Sequence, residues 1–521
     1  MPGFKLADTG CLTQLDKSGT LKLLKMRFTS VFCLILFFTT VSISQQPPNI
    51  IVILADDLGS ADLQCYGSTF YETPHLNRLA LEGIRFTRAY ATSPVCSPTR
   101  ASLMTGKYPH KTGITDWITG RQADNKATSY EKLIAHPTAY QLALEEETLA
   151  EVARKNGYKT FYAGKWHLGN DEKYWPESQG WEINKGGWNK GAPTGLINDS
   201  TGAHFTPYNN PRIPDGKPGE YLADRLTQEC IQFMEMNTKA PFLMMYSMYA
   251  VHIPLQAPKT LTKKYEAKQK KLGLTDQQRF RKDEPWMKFE TGWKQRTVQD
   301  NPIYAAMIEN MDMNVGRILS TLERLNLDSN TIVVFTSDNG GLSTAEGSPT
   351  VNGPLRAGKG WLYEGGIRVP LLMRWNNDHH SGQTYQVPVT TADIFTTLVL
   401  AMNKQYKIND KIDGQNIFTL LADSTKANKR SIFWHYPHYS NQGGKPASAV
   451  LRGDYKLIYH HEDQAIELYN LHEDLNEQHD LSKIKRGQAR QMNKKLHQWL
   501  KSTKAGFPIQ NPHYISQMEK K

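Results

Sequence analysis

Two short apolar runs, each stopping abruptly in acids, constrain this chain more than any other feature. Asn49-Ile-Ile-Val-Ile-Leu-Ala55 ends at Asp56-Asp57-Leu58-Gly59, and Thr331-Ile-Val-Val-Phe-Thr336 ends at Ser337-Asp338-Asn339-Gly340-Gly341. Continuous rather than alternating apolar character belongs to strands covered on both faces, as in a parallel sheet between helix layers. The spacing Tyr304, Ile308, Met311, Val315, Ile318, Leu322 predicts a helix just before the second run, and helix followed by buried strand is the repeating unit of an α/β fold. Residues 160–163 and 241–246 are further candidate strands. The expected fold is α/β, with a large, mostly parallel sheet sandwiched by helices. Shorter, alternating segments at 431–436, 449–460 and 465–471 predict a small C-terminal antiparallel sheet. A helix with Met492, Leu496, Trp499 and Leu500 on one face follows it. The boundary is expected between 405 and 430, dividing a larger α/β domain, 46–410, from a C-terminal α+β subdomain, 411–521.

Residues 22 to 45 have the pattern of an export signal. Lys22, Lys25 and Arg27 precede an apolar core at 31–38, and the small residues of Ser42-Ile-Ser44 suit cleavage before Gln45. The core is too short to favour a membrane span. The reading is a signal peptide over 1–45, with Met26 an alternative start, and a protein exported to the periplasm or secreted without stable membrane insertion. Cys33 then lies in the signal, leaving Cys65, Cys96 and Cys230, which is no disulfide framework. A Cys65–Cys230 bridge stays open. The net charge of +11 is scattered along the chain rather than gathered into an arm or stripe, which argues against a nucleic-acid partner. A denser basic stretch, 259–282, reads either as a solvated helix face or as a landing surface for a polyanion.

Ligands of open α/β sheets gather beyond the carboxyl ends of the strands. Asp56, Asp57, Asp338 and Asn339 all stand at such ends. Three carboxylates brought together repel one another unless a cation joins them, and an all-oxygen donor set suits Ca2+, with Mg2+ the less favoured choice. The alternative is that each acidic pair caps a loop or a helix.

The third constraint is Cys96-Ser97-Pro98-Thr99-Arg100, continuing as Ala101-Ser-Leu-Met-Thr-Gly106. Ser97 has the character of an N-cap and Pro98 of a first helical residue. Cys96 would then precede a helix N-terminus, where amides and dipole favour an anion. Arg100, one turn in, can reach back to that anion. Read by itself, Cys96 is a small buried hydrophobe or a thiolate nucleophile.

The longer string resembles the signature of the formylglycine-dependent type I sulfatases of the alkaline phosphatase superfamily, and in particular the bacterial polysaccharide sulfatases. The resemblance spans almost all of the chain beyond the signal. Gly164-Lys165-Trp166-His167-Leu168-Gly169 is similar to that family's lysine–histidine motif, and His252, in Tyr249-Ala-Val-His-Ile-Pro254, to its later histidine. Asp338-Asn339-Gly340 resembles its second metal segment, and Gly358-Lys359-Gly360, leading into Tyr363-Glu-Gly-Gly366, its closing lysine. The resemblance implies an alkaline-phosphatase-like fold and a sulfuric ester hydrolase. It implies one Ca2+ held by Asp56, Asp57, Asp338, Asn339 and residue 96. It also implies conversion of Cys96 to formylglycine by a formylglycine-generating or sulfatase-maturating enzyme. One hydroxyl of the hydrated aldehyde would attack sulfur, and the second would later expel sulfate. By the same resemblance, Arg100 and the ion stabilise charge, Lys165 and Lys359 clamp the sulfate oxygens, and Asp338 is the base. His252 protonates the departing alcohol, and His167 helps take the proton in the elimination.

For the substrate, Phe433-Trp-His435-Tyr-Pro-His438-Tyr439-Ser-Asn-Gln-Gly-Gly resembles a segment of bacterial polysaccharide sulfatases. It implies a sulfated carbohydrate, of galactose type or from an algal polysaccharide or glycosaminoglycan, touched by His435 and His438. Packing of the C-terminal sheet is the competing role for this segment. Asp116, Trp117 and His110 follow the Cys96 helix and are candidates to line a pocket, whereas Trp175, Trp181 and Trp188 read as core. Two other classes stay open: a phosphonate or phosphate ester hydrolase of the same superfamily, and a non-catalytic sulfated-glycan binding protein with unmodified Cys96.

Overall fold

Strand β1 (Asn49–Ala55) lies near the centre of an eight-stranded sheet and is buried at every position. The other strands are β2 (Ile84–Phe86), β3 (Lys159–Gly164), β4 (Ile183–Lys185), β5 (Phe242–Ser247), β6 (Thr331–Ser337), β7 (Leu371–Trp375) and β8 (Thr384–Tyr385), in the order β8-β2-β7-β6-β1-β5-β3-β4. β1 pairs in parallel with β6 and β5, and β5 with β3. β7 runs antiparallel to both of its neighbours, so the sheet is mixed. This computed structural model describes residues 47–122, 126–194, 202–276, 279–281, 294–375 and 380–515; the expected signal peptide and Cys33 lie outside them.

The apolar runs have no polar face because both faces are covered. Ile51, Ile53 and Ala55 pack into a core with α2 (Leu222–Met236) and α4 (Pro302–Arg324); Ile50, Val52 and Leu54 face a second core with α1 (Cys96–Thr105) and α5 (Thr391–Met402). Trp175 and Trp181 are buried in that second core. The basic helix α3 (Lys259–Lys271) lies against α4, and its Lys264 and Lys268 are committed to Glu72 and Glu309, which favours the solvated-face reading over a polyanion landing. Cys65 and Cys230 are free thiols.

The C-terminal sheet is antiparallel: β9 (Ser431–Tyr436), β10 (Ala447–Arg452), β11 (Tyr455–His460) and β12 (Ile466–Asn470). The run expected as one strand over 449–460 is two, because Gly453, at φ +61, turns the chain into a hairpin. One face carries α6 (Arg486–Ser502) through Met492, Leu496 and Leu500. The other face meets the larger sheet's loops: Trp434 and Tyr436 pack with Tyr90, Val95, Trp361 and Tyr363, and Trp434 Nε1 donates to the Ala91 carbonyl at 2.8 Å. Lys456, fully buried, lies 3.0 Å from Glu364 and 2.9 Å from Glu477, and Glu477 accepts from the Glu364 amide at 2.7 Å. Removing one partner of such a buried ionic group costs more than the group contributes, so it pins the segment that contains Lys359 to the C-terminal sheet.

Candidate active site

The tips of β1 and β6 are tied directly to each other. The Asp57 amide donates to Asp338 Oδ1 at 3.2 Å, and the Leu58 amide to Ser337 Oγ at 3.1 Å. Asp57 sits at φ +61, in the left-handed region that a non-glycine residue occupies at a cost and mostly at functional sites. Asp56, Asp57, Asp338 and Asn339 are all buried at 2% exposure or less. Position 57 also receives Asn339 Nδ2, at 2.9 Å.

Three cations meet these acids. Lys165 Nζ, from the end of β3, reaches both oxygens of Asp56 at 2.8 Å. Arg100, one turn into α1, holds Asp338 Oδ2 through Nε and Nη2 at 2.9 and 2.7 Å and lies 3.5 Å from Asp56. Lys359 Nζ contacts Asp57 Oδ2 at 2.7 Å. Sequence reasoning missed Ser247, the last residue of β5, whose Oγ receives Arg100 Nη1 at 2.6 Å and donates to the Lys165 carbonyl at 2.7 Å. Its position at a strand's carboxyl end was the signal that could have found it.

Three carboxylates meet three cations, and burial acts on each carboxyl. Burial, reinforced by Asp338 and Asp57, pushes the Asp56 carboxyl up to about 8 despite Lys165 and Arg100. Burial also acts on Asp57 and Asp338, but Lys359 and Arg100 respectively overcome it and hold them below the usual carboxylate range. Arg100 sits on one Asp338 oxygen and the Asp57 amide on the other. Asn339 Oδ1 is buried without a hydrogen-bond partner. Asp56, Asp57 and His252 each offer a donor atom within 4.8 Å of the others. A buried, oxygen-rich donor set with an orphaned amide oxygen fits a hard divalent cation.

Cys96 stands beside this cluster. Helix α1 begins at Cys96 itself with Val95 as its cap, two residues earlier than the Ser97 cap expected from sequence. Ser97 Oγ instead accepts from the Ile118 amide at 3.2 Å. The first-turn amides of α1 therefore open at position 96. Burial pushes the Cys96 thiol up, so the side chain is not poised as a thiolate. His167, at φ +56, donates from Nε2 to the Ile118 carbonyl, which leaves the Nδ1 lone pair 3.3 Å from Cys96 Sγ. Burial keeps that ring neutral, far below 6.5. His252 donates from Nδ1 to the Ile253 carbonyl at 2.7 Å and presents Nε2 to Lys359 Nζ at 3.4 Å. Burial lowers its pKa to about 3, against the pull of Asp57. Cys96, His167, His252, Lys359, Trp117 and Gln442 line one cleft of about 320 Å³.

The substrate candidates separate. Trp117 lines this cleft. Asp116 points away from it, buried, with Tyr436 Oη donating to it at 2.9 Å; it borders a second cavity, of about 240 Å³, together with His438. His438 Nε2 is within 2.9 Å of Thr115 Oγ1. His435 is not a cleft residue: it is buried in the C-terminal sheet with Nδ1 on Ser448 Oγ at 2.7 Å and Nε2 on the Gly506 carbonyl at 2.8 Å. His110 packs on Trp499 and Tyr108. Alternation alone could not show that His435 faces α6 rather than solvent. Burial lowers the His435 pKa to about 4 from 6.5, so protonation favours the unfolded chain. Its contribution is complete above pH 6.5 and is lost as pH falls toward 4, with a ceiling of about 3 kcal/mol. We expect the urea midpoint of His435→Gln to fall less than that of the unsubstituted protein between those pH values; parallel curves would refute this.

The sulfatase family profile matches residues 48–404, more than half of the chain. The chain belongs to the sulfatase family. This sulfatase also matches the C-terminal profile of N-sulphoglucosamine sulphohydrolase over 357–506, so the two matches share the segment with Lys359. It is 31% identical to a sulfatase of Formosa agariphila, over 88% of this chain and 89% of that one. It is also 31% identical to human N-acetylgalactosamine-6-sulfatase, over 75% and 68% respectively. Among solved structures, Ps i-CgsB in complex with k-i-k-neocarrahexaose superposes with a TM-score of 0.70 at 26% identity, covering 91% of this chain and 96% of that one. The enzyme class is sulfuric ester hydrolase.

Proposed function

We propose that this sulfatase removes sulfate from a galactose-type sugar of a sulfated polysaccharide or its oligosaccharides, using Cys96 in its formylglycine form and a bound calcium ion. One observation carries the reading: a helix-start residue, Cys96, opens on a cleft whose floor holds His167, His252 and Lys359, directly beside acids delivered from two strand tips. The carbohydrate named in the human relative and the neocarrahexaose of the solved neighbour support a sugar substrate.

Asp56, Asp57, Asp338 and Asn339 would hold the cation, which would supply Lewis acidity and charge. The hydrated aldehyde would supply the hydroxyl that forms the new O–S bond as the sugar's S–O bond breaks, and a second hydroxyl whose deprotonation releases sulfate. Three buried carboxylates face Arg100, Lys165 and Lys359, so a divalent ion leaves the centre net positive and able to hold an anionic ester. Lys359 and Lys165 orient the sulfate oxygens. Lys359 lies within reach of His252 Nε2, and the pair delivers the proton that the departing sugar oxygen needs. His167 Nδ1, its lone pair aimed at position 96, takes the proton of the second step.

We place this activity outside the cytoplasm, after removal of residues 1–45 and oxidation of Cys96 by a maturation enzyme. We also propose that the boundary between the two parts runs near residue 410. No helix among the described residues is long and apolar enough to cross a membrane. The test is the intact mass of the peptide spanning Cys96 from the native host, paired with turnover of an aryl sulfate and the matching aryl phosphate. The expected results are a mass lowered by thiol-to-aldehyde conversion and a preference for the singly charged sulfate. An unmodified peptide with no turnover refutes the enzyme reading, and preference for phosphate refutes the sulfate reading.

A further inference from the structure

The mouth of the cleft has two chemically different sides. Beside His167, Gly191 packs so closely that a Cβ there would lie 2.3 Å from the imidazole, and Lys190 and Ala192 to Thr194 also line the cleft. The other lining residues include Glu346, Asn441 and Gln442. The Glu346 charge is felt at Lys359, which sets it on the lysine side. Glu346 is exposed, holds a left-handed φ of +52, and accepts from Gln442 Nε2 at 3.2 Å.

Gln442 is held rigidly. Its carbonyl accepts from Thr344 Oγ1 and from Trp361 Nε1, both at 2.8 Å, and its amide donates to Ser440 Oγ at 3.2 Å. It is 4% exposed, yet its side-chain Oε1 has no hydrogen-bond partner. A carboxylate at the entrance of an anion-binding cleft is unfavourable unless it meets the uncharged half of the ligand, where it accepts strongly from hydroxyl groups.

We propose that Glu346, set by Gln442, determines specificity: its carboxylate accepts hydrogen bonds from free hydroxyls of the sugar that carries the scissile sulfate, and its charge turns away sugars bearing a second sulfate or a carboxylate at that place. The proposal rests on the sulfatase reading above. It identifies the preferred substrate class as a singly sulfated, hydroxyl-rich sugar. A neighbouring anion discriminates by repulsion as much as by attraction.

The experiment uses the full-length matured enzyme and Glu346→Gln, which keeps the shape and removes the charge at an exposed position. Three substrates are compared: an aryl sulfate without hydroxyls, a monosulfated galactose-type sugar and its disulfated counterpart. The variant's kcat/KM on the monosulfated sugar is expected to fall at least about tenfold, mostly through KM, and the loss should exceed that on the aryl sulfate by a similar factor. The disulfated-to-monosulfated activity ratio should rise at least about tenfold. Equal losses on aryl and sugar sulfates, or an unchanged ratio, would overturn the proposal while leaving the sulfatase reading standing. Failure of the unsubstituted, matured enzyme on every sulfate ester would overturn both.

Discussion

Cys96→Ala is expected to lower turnover of an aryl or sugar sulfate by at least about 10³-fold while leaving the fold in place. The side chain at 96 is buried, and its Sγ has one polar neighbour, His167 Nδ1. Removing it deletes the atom on which the whole cleft converges, but only a small buried volume, so the stability cost is about 1 kcal/mol and the melting temperature should move by only a few degrees. Turnover and thermal unfolding measured on the same preparation separate chemistry from folding. Retained activity would show that the nucleophile is another residue.

Asp56→Ala should act on both cation binding and stability. Asp56 is fully buried and is the carboxylate that Lys165 grips through both oxygens. Its removal strands a buried ammonium, and breaking a buried pair in this way costs about 3–5 kcal/mol. It also takes an oxygen donor from the proposed calcium site. Calcium content measured by elemental analysis should fall below one ion per chain, and turnover should drop at least about 10³-fold. Added calcium should raise the melting temperature of the unsubstituted protein and not that of the variant, because only a state that binds the ion is stabilised by it. Asp56→Asn retains volume and one oxygen donor but removes the charge: if it binds calcium and turns over substrate normally, the Asp56 charge is not needed at the site. If it unfolds like Asp56→Ala but stays loaded with calcium, the residue serves the fold alone.

Much of the fold was legible because burial on two faces leaves a mark in composition. β1 and β6 could be read from their unbroken aliphatic runs, and the acids that end them stood out because each run breaks off directly into them. The strand tips meet through the Asp57–Asp338 contact, a pairing across 281 residues that the parallel-sheet reading anticipated without fixing its register. Features set by tertiary contact were not legible. The start of α1 moved to Cys96 because the Ile118 amide claims Ser97 Oγ. Ser247 looked like any small residue at a strand end until Arg100 reached it. His435 and Gln442 lie seven residues apart in one aromatic and polar segment, and only the hairpin's packing sends the first into the C-terminal core and the second to the cleft. Nor could composition reveal that the 449–460 run bends at Gly453.

The carbonyl of Gln442 joins segments far apart in the chain, anchoring Thr344 on one side and Trp361, two residues beyond Lys359, on the other. The turn at 440–444 is therefore a hub rather than an ornament of the C-terminal sheet. Cutting the chain near residue 410 would release the lysine-bearing loop along with the mouth, so neither part can be expressed alone as a working hydrolase. For the same reason, lengthening this one turn would change catalytic rate and sugar preference together, and transplanting it into a relative should carry both properties across.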